Sequence, residues 1–221
     1  MPLGVVVGLA AEARIARPLR AIVTIGGGTP QGAEIAAESL AAGGATGLLS
    51  FGLAGGLDPA LRPGDLLVPR AVRAFGQDWP ADPTLLQLLG GPTIPLLLSE
   101  GTIVASAVAK RRLWQASGAA AVDLESGAVA EAAIRHDLPF AVLRAVCDPA
   151  SRSLPRAALV ALDAAGRVRP LRFIRVALAR PGQLAALLAL ASDAAHARRT
   201  LAERVSVLCA LGPSPVLGDK R

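Results

Sequence analysis

Short apolar runs alternate with alanine-rich stretches of helical spacing through the first 155 residues, and few folds satisfy that order. "LGVVVGLA", "AIVTIGGG", "TGLLSFGLAGG", "GDLLVPRAV" and "PFAVLRAVCD" read as strands, with "TIVASA" following the fourth. "QGAEIAAESLAAG" and "ESGAVAEAAIRHD" read as helices between them. Such alternation predicts an α/β fold, a three-layer α/β/α sandwich around a central mixed, largely parallel sheet. Beyond Pro155, "AALVALDAAG" and "RPLRFIRVALAR" look helical. From Gln183 to Leu208, Leu184, Leu187, Leu188, Ala191, Ala194, Leu201, Val205 and Leu208 recur near helical spacing, as one amphipathic helix or a helical pair. The expected organisation is an α/β domain over residues 1–165, a helical extension packed on it over 166–210, and a flexible tail over 211–221.

Composition narrows the function classes. At 221 residues, 52% hydrophobic and 18% charged, the chain can enclose a large core and does not read as disordered. The net charge of +6 comes almost wholly from arginines, with lysine only at Lys110 and Lys220. These arginines are scattered, tyrosine is absent and aromatics are 3%, which argues against nucleic acid and leaves an anionic partner or plain composition bias. Cys147 and Cys209 make neither a disulfide framework nor a metal-ligand spacing, so no metal is expected and a reducing, cytoplasmic setting fits. The apolar start lacks a basic leader, and no stretch reaches the roughly 18 apolar residues that span a bilayer. A soluble protein, at most peripheral to a membrane, is the expectation.

Polar residues cluster where strands should end. Glu12 and Arg14 follow the first strand, Gly26 to Gly28 the second, "GLAGG" the third, and Cys147 with Asp148 the last. In an open α/β sheet ligands gather outside the carboxyl ends of strands, so these signals point to one pocket. The glycines either let backbone approach a ligand or merely serve tight turns; neither run matches a phosphate loop or a dinucleotide fingerprint. Asp148 stands at the mouth of its strand, either as a proton donor or as a cap for the turn "DPAS". Arg144, four residues earlier, is placed to brace a carboxylate. In "AVDLES", Asp123 and Glu125 sit at a strand-to-helix junction, where helix N–H groups favour negative charge; capping by Asp123 or Ser126 explains one acid but not both.

With those residues in view, "SFGLAGGLDPALRPGDLLVP" followed by "AVDLESGAVAEAAIRHDLPFAVLRAVCDPAS" resembles the nucleoside phosphorylase and nucleosidase superfamily over about residues 4 to 155. More narrowly, "GLAAEARIAR", "SFGLAGGLDPALRPGD" and "RPGQL" resemble its hopanoid-associated phosphorylase branch, the adenosylhopane nucleosidases. The resemblance implies that Glu125 binds the ribose hydroxyls, Asp148 protonates purine N7, and Glu12 activates water. It implies substrate contacts from Leu124, Gly55, Cys147 and Asp123, and a phosphate or water pocket around Gly26, Gly28, Arg14 and Leu53. Leu124 replaces the usual Met and Cys147 the usual Ser. Ser50 and Leu53 fall where phosphorylases often carry Arg and Ser that hold phosphate, which leaves Arg14 or Arg73 as anion binders and favours water as nucleophile.

The activity implied is cleavage of the N-glycosidic bond of adenosylhopane, releasing adenine, without cofactor but with inorganic phosphate open as co-substrate. Two alternatives stand: a soluble nucleosidase for methylthioadenosine, adenosylhomocysteine or futalosine, and a non-catalytic nucleoside-binding protein. A homodimer is implied. Leu171, Phe173, Ile174, Leu178 and Leu184, beside Arg172, Arg175 and Arg180, either pack on the protein or meet an anionic membrane that receives a lipid-linked substrate. His136 and His196 are expected to be incidental, and Trp79 and Trp114 to pack.

Overall fold

The computed structural model describes residues 2–155, 182 and 184–211. Its elements run β1 (Gly4–Val7), α1 (Ala10–Ala16), a 3-10 turn (Arg17–Leu19), β2 (Ile22–Ile25), α2 (Pro30–Ala42), β3 (Leu48–Gly56), β4 (Leu66–Leu67) and β5 (Pro69–Ala74). Then come β6 (Gln77–Pro80), α3 (Pro83–Leu88), β7 (Ile94–Ser99), α4 (Ala107–Ser117), β8 (Ala121–Asp123), α5 (Ser126–Arg135), β9 (Phe140–Asp148) and a last helix, α6 (Leu184–Ala210). This is the expected mixed, largely parallel sheet between helical layers. The segment holding Leu171, Phe173, Ile174, Leu178 and the nearby arginines, and the tail 212–221, lie outside the described residues.

β1, β3 and β9 are central and apolar on both faces, as parallel strands covered on both sides must be. Val6, Leu48, Val142 and Val146 face α2 and α5, meeting Ala33, Ala37, Leu40, Ala128 and Ala132. Val5, Val7, Leu49, Phe51, Ala141 and Leu143 face the other way, onto Ala16 of α1 and onto Ala197, Leu201, Val205 and Leu208 of α6. Alanine dominates the α2–α5 surface, which lets the two helices lie close to the sheet and to each other. The predicted amphipathic stretch is thus one continuous helix, with Leu187, Leu201, Val205 and Leu208 buried and Leu184 and Leu188 left exposed.

Two local readings change, and one strand is added to those read from the sequence. "TIVASA" is not a strand: it leads into α4, and Ser106 caps that helix by accepting from the Ala109 N–H at 3.1 Å. "GDLLVPRAV" is broken at Pro69, so that β4 pairs with β9 while β5 pairs with β6 and β7. "IPLLLS", which carries no clear period, forms β7 beside β5 and β8.

The sheet has a switch that matters for function. On one edge β3 pairs with β1 from Leu48 to Phe51 and then with β8 at Gly55 and Gly56; on the opposite edge it pairs with β9 from Leu48 to Gly55. Among the described residues, no strand therefore pairs with Gly52, Leu53 and Ala54 on the first edge. There the carboxyl end of β1, the junction after β8 and the end of β9 converge.

Candidate active site

Two charge clusters occupy this opening. Glu12 lies in the first turn of α1 and is buried; its Oε2 accepts from the Leu9 N–H at 2.8 Å, which caps the helix, and its Oε1 accepts from the Leu53 N–H at 3.2 Å. One carboxylate thus serves both a helix start and a backbone donor stranded by the sheet switch. Burial pushes the Glu12 carboxyl above the ordinary range, against the pull of Arg144 and of the backbone N–H groups of Leu9, Leu53 and Gly8.

Arg144, fully enclosed on β9, organises the cluster. Its Nη2 lies 2.8 Å from Asp123 Oδ2, 3.2 Å from Glu125 Oε2 and 2.8 Å from Ser50 Oγ, and Nη1 donates to Glu125 Oε2 and to the Leu53 carbonyl, both at 3.2 Å. The acids of "AVDLES" are therefore met by a cation from a strand two elements away. Asp123 also accepts from the backbone N–H of Ser126 at 3.3 and 3.2 Å, and from its hydroxyl at 2.5 Å, so it both pairs with Arg144 and holds the start of α5. Glu125 occupies the N-cap position of α5 but makes no side-chain cap. Its Oε2 belongs to Arg144, whereas its buried Oε1 has no partner among the described residues. Burial first, and then the nearby Glu12 and Asp123, raise its pKa to about 7 although Arg144 opposes them.

Glycine makes the convergence possible. A Cβ on Gly8 would lie 2.9 and 3.1 Å from the two Glu125 carboxylate oxygens and 3.3 Å from Glu12 Oε2. On Gly52 it would lie 2.7 Å from Glu12 Oε1 and 2.8 Å from Arg144 Nη1. Carboxylates from α1 and from the α5 junction thus meet over backbone that carries no side chain.

The second cluster is at the end of β9. A register shift there sets Ala54 opposite Val146 and Gly55 opposite Asp148, so Cys147 is the extra residue of a bulge that re-aims Asp148. A Cβ on Gly55 would lie 3.2 Å from Asp148 Oδ1. Asp148 is buried and forms an ion pair with Lys110 of α4, while the Cys147 thiol donates to its Oδ1 at 3.3 Å. Burial and the adjacent Asp148 push the Cys147 thiol well up, keeping it protonated as a donor.

Lys110 escaped sequence reasoning. It is fully buried, and its ammonium also donates to the carbonyls of Pro149 at 3.0 Å and Arg152 at 3.1 Å. Its only signal was being one of two lysines in an arginine-rich chain. Ser50, joined to Arg144 and to Ser126 at 3.0 Å, was noted only as a departure from a phosphate site.

Other expected members fall elsewhere. Arg14 is exposed and, two residues past Glu12 on α1, points about 200° around the helix from it, so it does not face the cluster. Arg73 is engaged with Asp78 at 2.5 Å on the β5–β6 hairpin. Gly26 packs against α2, where a Cβ would meet the Ala33 backbone at 2.9 Å, and Gly28 has φ +74° in the turn before it, so both answer to turn geometry. Leu124 is half-buried between the two acids. His136 ends α5 beside Glu38 at 2.6 Å, Trp79 and Trp114 pack on core clusters, and His196 lies against Gly64.

Residues 12–175 match the model of a protein family described as the phosphorylase superfamily. Among solved structures, an S-adenosylhomocysteine nucleosidase from Streptococcus pyogenes superposes with a TM-score of 0.71 at 16% identity, covering 97% of this chain and 98% of that one. Futalosine hydrolase of Helicobacter pylori gives 0.69 at 16% identity over 95% and 97%, and a 5′-methylthioadenosine/S-adenosylhomocysteine nucleosidase from Neisseria meningitidis gives 0.63 at 17% over 93% and 98%. No curated protein matches the sequence.

Proposed function

Because the chain belongs to the phosphorylase superfamily, we propose that it cleaves the N-glycosidic bond of an adenine nucleoside bearing a 5′ substituent, with water as the nucleophile and adenosylhopane as the substrate. One observation carries the reading. Among the described residues Glu125 Oε1 is a buried acceptor to which nothing donates, beside Glu12, and a buried Asp148 ends β9, the strand whose Arg144 holds the other oxygen of Glu125. A lone pair enclosed this way is costly unless a donor arrives, and a ribose hydroxyl is such a donor. Since Oε2 is already held by Arg144, the sugar contact falls to Oε1 alone, whose two lone pairs accept one or both vicinal O–H groups.

The steps balance as follows. The C1′–N9 bond breaks with its electron pair passing to the base, while the Asp148 carboxyl delivers a proton to N7 and adenine leaves neutral. Water adds to C1′ and gives its proton to Glu12. The products are adenine and the free ribosyl compound; Glu12 then releases a proton to solvent and Asp148 regains one. The positive charge that develops on the sugar faces Glu12 and Glu125, the arrangement that favours a cationic transition state.

Electrostatics supports water over phosphate. Among the described residues, the two buried cations are Arg144 and Lys110, and both are already committed to carboxylates. A phosphate entering beside Glu12, Glu125 and Asp123 would meet like charge, with the Arg144 guanidinium already engaged.

For the lipid, support comes from "GLAAEARIAR", which forms α1 and the turn between β1 and it, and from "SFGLAGGLDPALRPGD", which forms most of β3 and the loop after it. The structural neighbours favour a second reading, in which the substrates are methylthioadenosine, adenosylhomocysteine or futalosine. No helix of the described residues is long and apolar enough to cross a membrane. Chromatographic detection of adenine from adenosylhopane and from methylthioadenosine, with and without inorganic phosphate, tests the proposal. Phosphate-independent release from the lipid is expected; dependence on phosphate overturns the nucleophile, and release from methylthioadenosine alone overturns the substrate.

A further inference from the structure

We propose that Lys110 is a positioning residue for departure of the base, acting through Asp148. This rests on the glycosidic cleavage argued above and assigns a role to the buried cation which that reaction scheme leaves unused. Three acceptors converge on the ammonium: Asp148 Oδ2 and the carbonyls of Pro149 and Arg152. The two carbonyls are neutral. The structure shows the resting ion pair; when Asp148 has taken up from solvent the proton destined for N7, the two carbonyls still hold the ammonium in place, and once that proton has gone to the base the ion pair re-forms. The stabilisation is therefore greater after transfer than before it, and only such a difference accelerates a step. No electron or atom is added to the scheme: Lys110 keeps its proton throughout.

The surroundings are built to hold this geometry. The Ala107 N–H donates to Ser153 Oγ at 3.0 Å, and the Leu154 N–H donates to the Ala105 carbonyl at 2.7 Å, so the segment after Asp148 is fastened at two points to the start of α4, just ahead of Lys110. Arg152 is further paired with Asp193 of α6. The Cys147 thiol restrains the other carboxyl oxygen. A lysine suits three convergent single acceptors, whereas the planar fork of arginine does not, which gives a physical reason for a lysine here in a chain that otherwise uses arginine.

The test compares leaving groups. Adenine needs a proton to depart; 4-nitrophenolate does not. In Lys110→Met, kcat for adenine release from the nucleoside that the wild type cleaves should fall about 100-fold, with KM within about threefold, while 4-nitrophenol release from 4-nitrophenyl β-D-riboside should fall less than about threefold. Asp148→Asn should show the same selectivity, and the double variant should lose no more than either single one. Lys110→Gln, which keeps donors for the two carbonyls without the charge, serves if the Met variant does not fold, and should show the same split. Equal losses on both substrates would mean that Lys110 is merely structural, and unchanged adenine release would overturn its role altogether. A wild-type protein inactive on nucleosides and riboside alike would instead overturn the glycosidic reading itself.

Discussion

Glu125 links stability to pH in a direction opposite to activity. Its pKa stands at about 7 in the fold against an ordinary 4.5, with burial as the main cause. At about 1.36 kcal/mol for each pH unit, that displacement amounts to roughly 3 kcal/mol. The sign follows from proton counts. Between pH 4.5 and about 7 the native glutamate still holds its proton while the unfolded one has lost it, so the unfolding free energy falls as pH rises through this window. Below it the contribution is fully present; above it the contribution is gone. Glu12, raised by the same burial, acts in the same direction.

Urea unfolding of the wild type and of Glu125→Gln between pH 4 and 8.5 isolates the effect, because the neutral amide cannot titrate. The difference between the two unfolding free energies should decline by about 3 kcal/mol across the window, at a slope near 1.4 kcal/mol per pH unit, and level off above about 7. Activity should run the other way, with kcat/KM for adenine release rising as Glu125 becomes the ionised acceptor that the sugar needs. A difference that stays flat from pH 4.5 to 7.5 would refute the buried, electrostatically crowded environment on which the sugar contact depends.

Two further substitutions probe the same cluster. Arg144→Met removes the shared cation and leaves Glu12, Asp123 and Glu125 facing one another; differential scanning calorimetry at pH 7.5 should show destabilisation of about 3–5 kcal/mol, lessened at pH 5 where Glu125 holds its proton. Gly52→Ala would place a methyl 2.7 Å from Glu12 Oε1 and 2.8 Å from Arg144 Nη1. The displaced carboxylate should cost about 100-fold in kcat with KM little changed, and full activity in that variant would mean that Glu12 is not held where the chemistry occurs.

The sheet was legible because apolar runs and alanine-rich periods disagree about which element they favour at each point along the chain. Acids and glycines stood out against that background, so Glu12, Glu125, Asp148 and the role of Arg144 as a brace could be named. What could not be read is distance through the fold. Lys110 sits among Arg111, Arg112 and Trp114 in what looks like an ordinary solvent-facing helix, and its partner lies 38 residues away. Arg14 erred for the converse reason: adjacency to Glu12 in sequence suggested a shared pocket, while the helical turn sends the two apart. "TIVASA" erred because β-branched residues can precede a helix cap as readily as they form a strand.

Two of the departures from the family pattern, at Leu53 and Cys147, are explained by which atoms the fold uses. Leu53 stands where phosphorylases often carry a serine, yet its backbone is what the site engages: its N–H meets Glu12 and its carbonyl meets Arg144. Those groups are free because the sheet switches partners on that edge, so they follow from topology and not from the side chain. A serine there would add a hydroxyl suited to an anion; leucine adds none, and the nearest cation is already surrounded by carboxylates. Cys147 keeps a donor on Asp148 at 3.3 Å, but a thiol is a weak one, and Lys110 supplies the strong contact from the opposite side. Under the function proposed above, the acids assigned to sugar and base are kept while the described residues of the site offer an anion no uncommitted cation, a combination that suits water as the nucleophile. Leu53→Ser would restore the hydroxyl without restoring a cation, and adenine release should remain independent of phosphate in that variant. A phosphate requirement acquired through this one change would show that the hydroxyl, and not the committed arginine, decides the nucleophile.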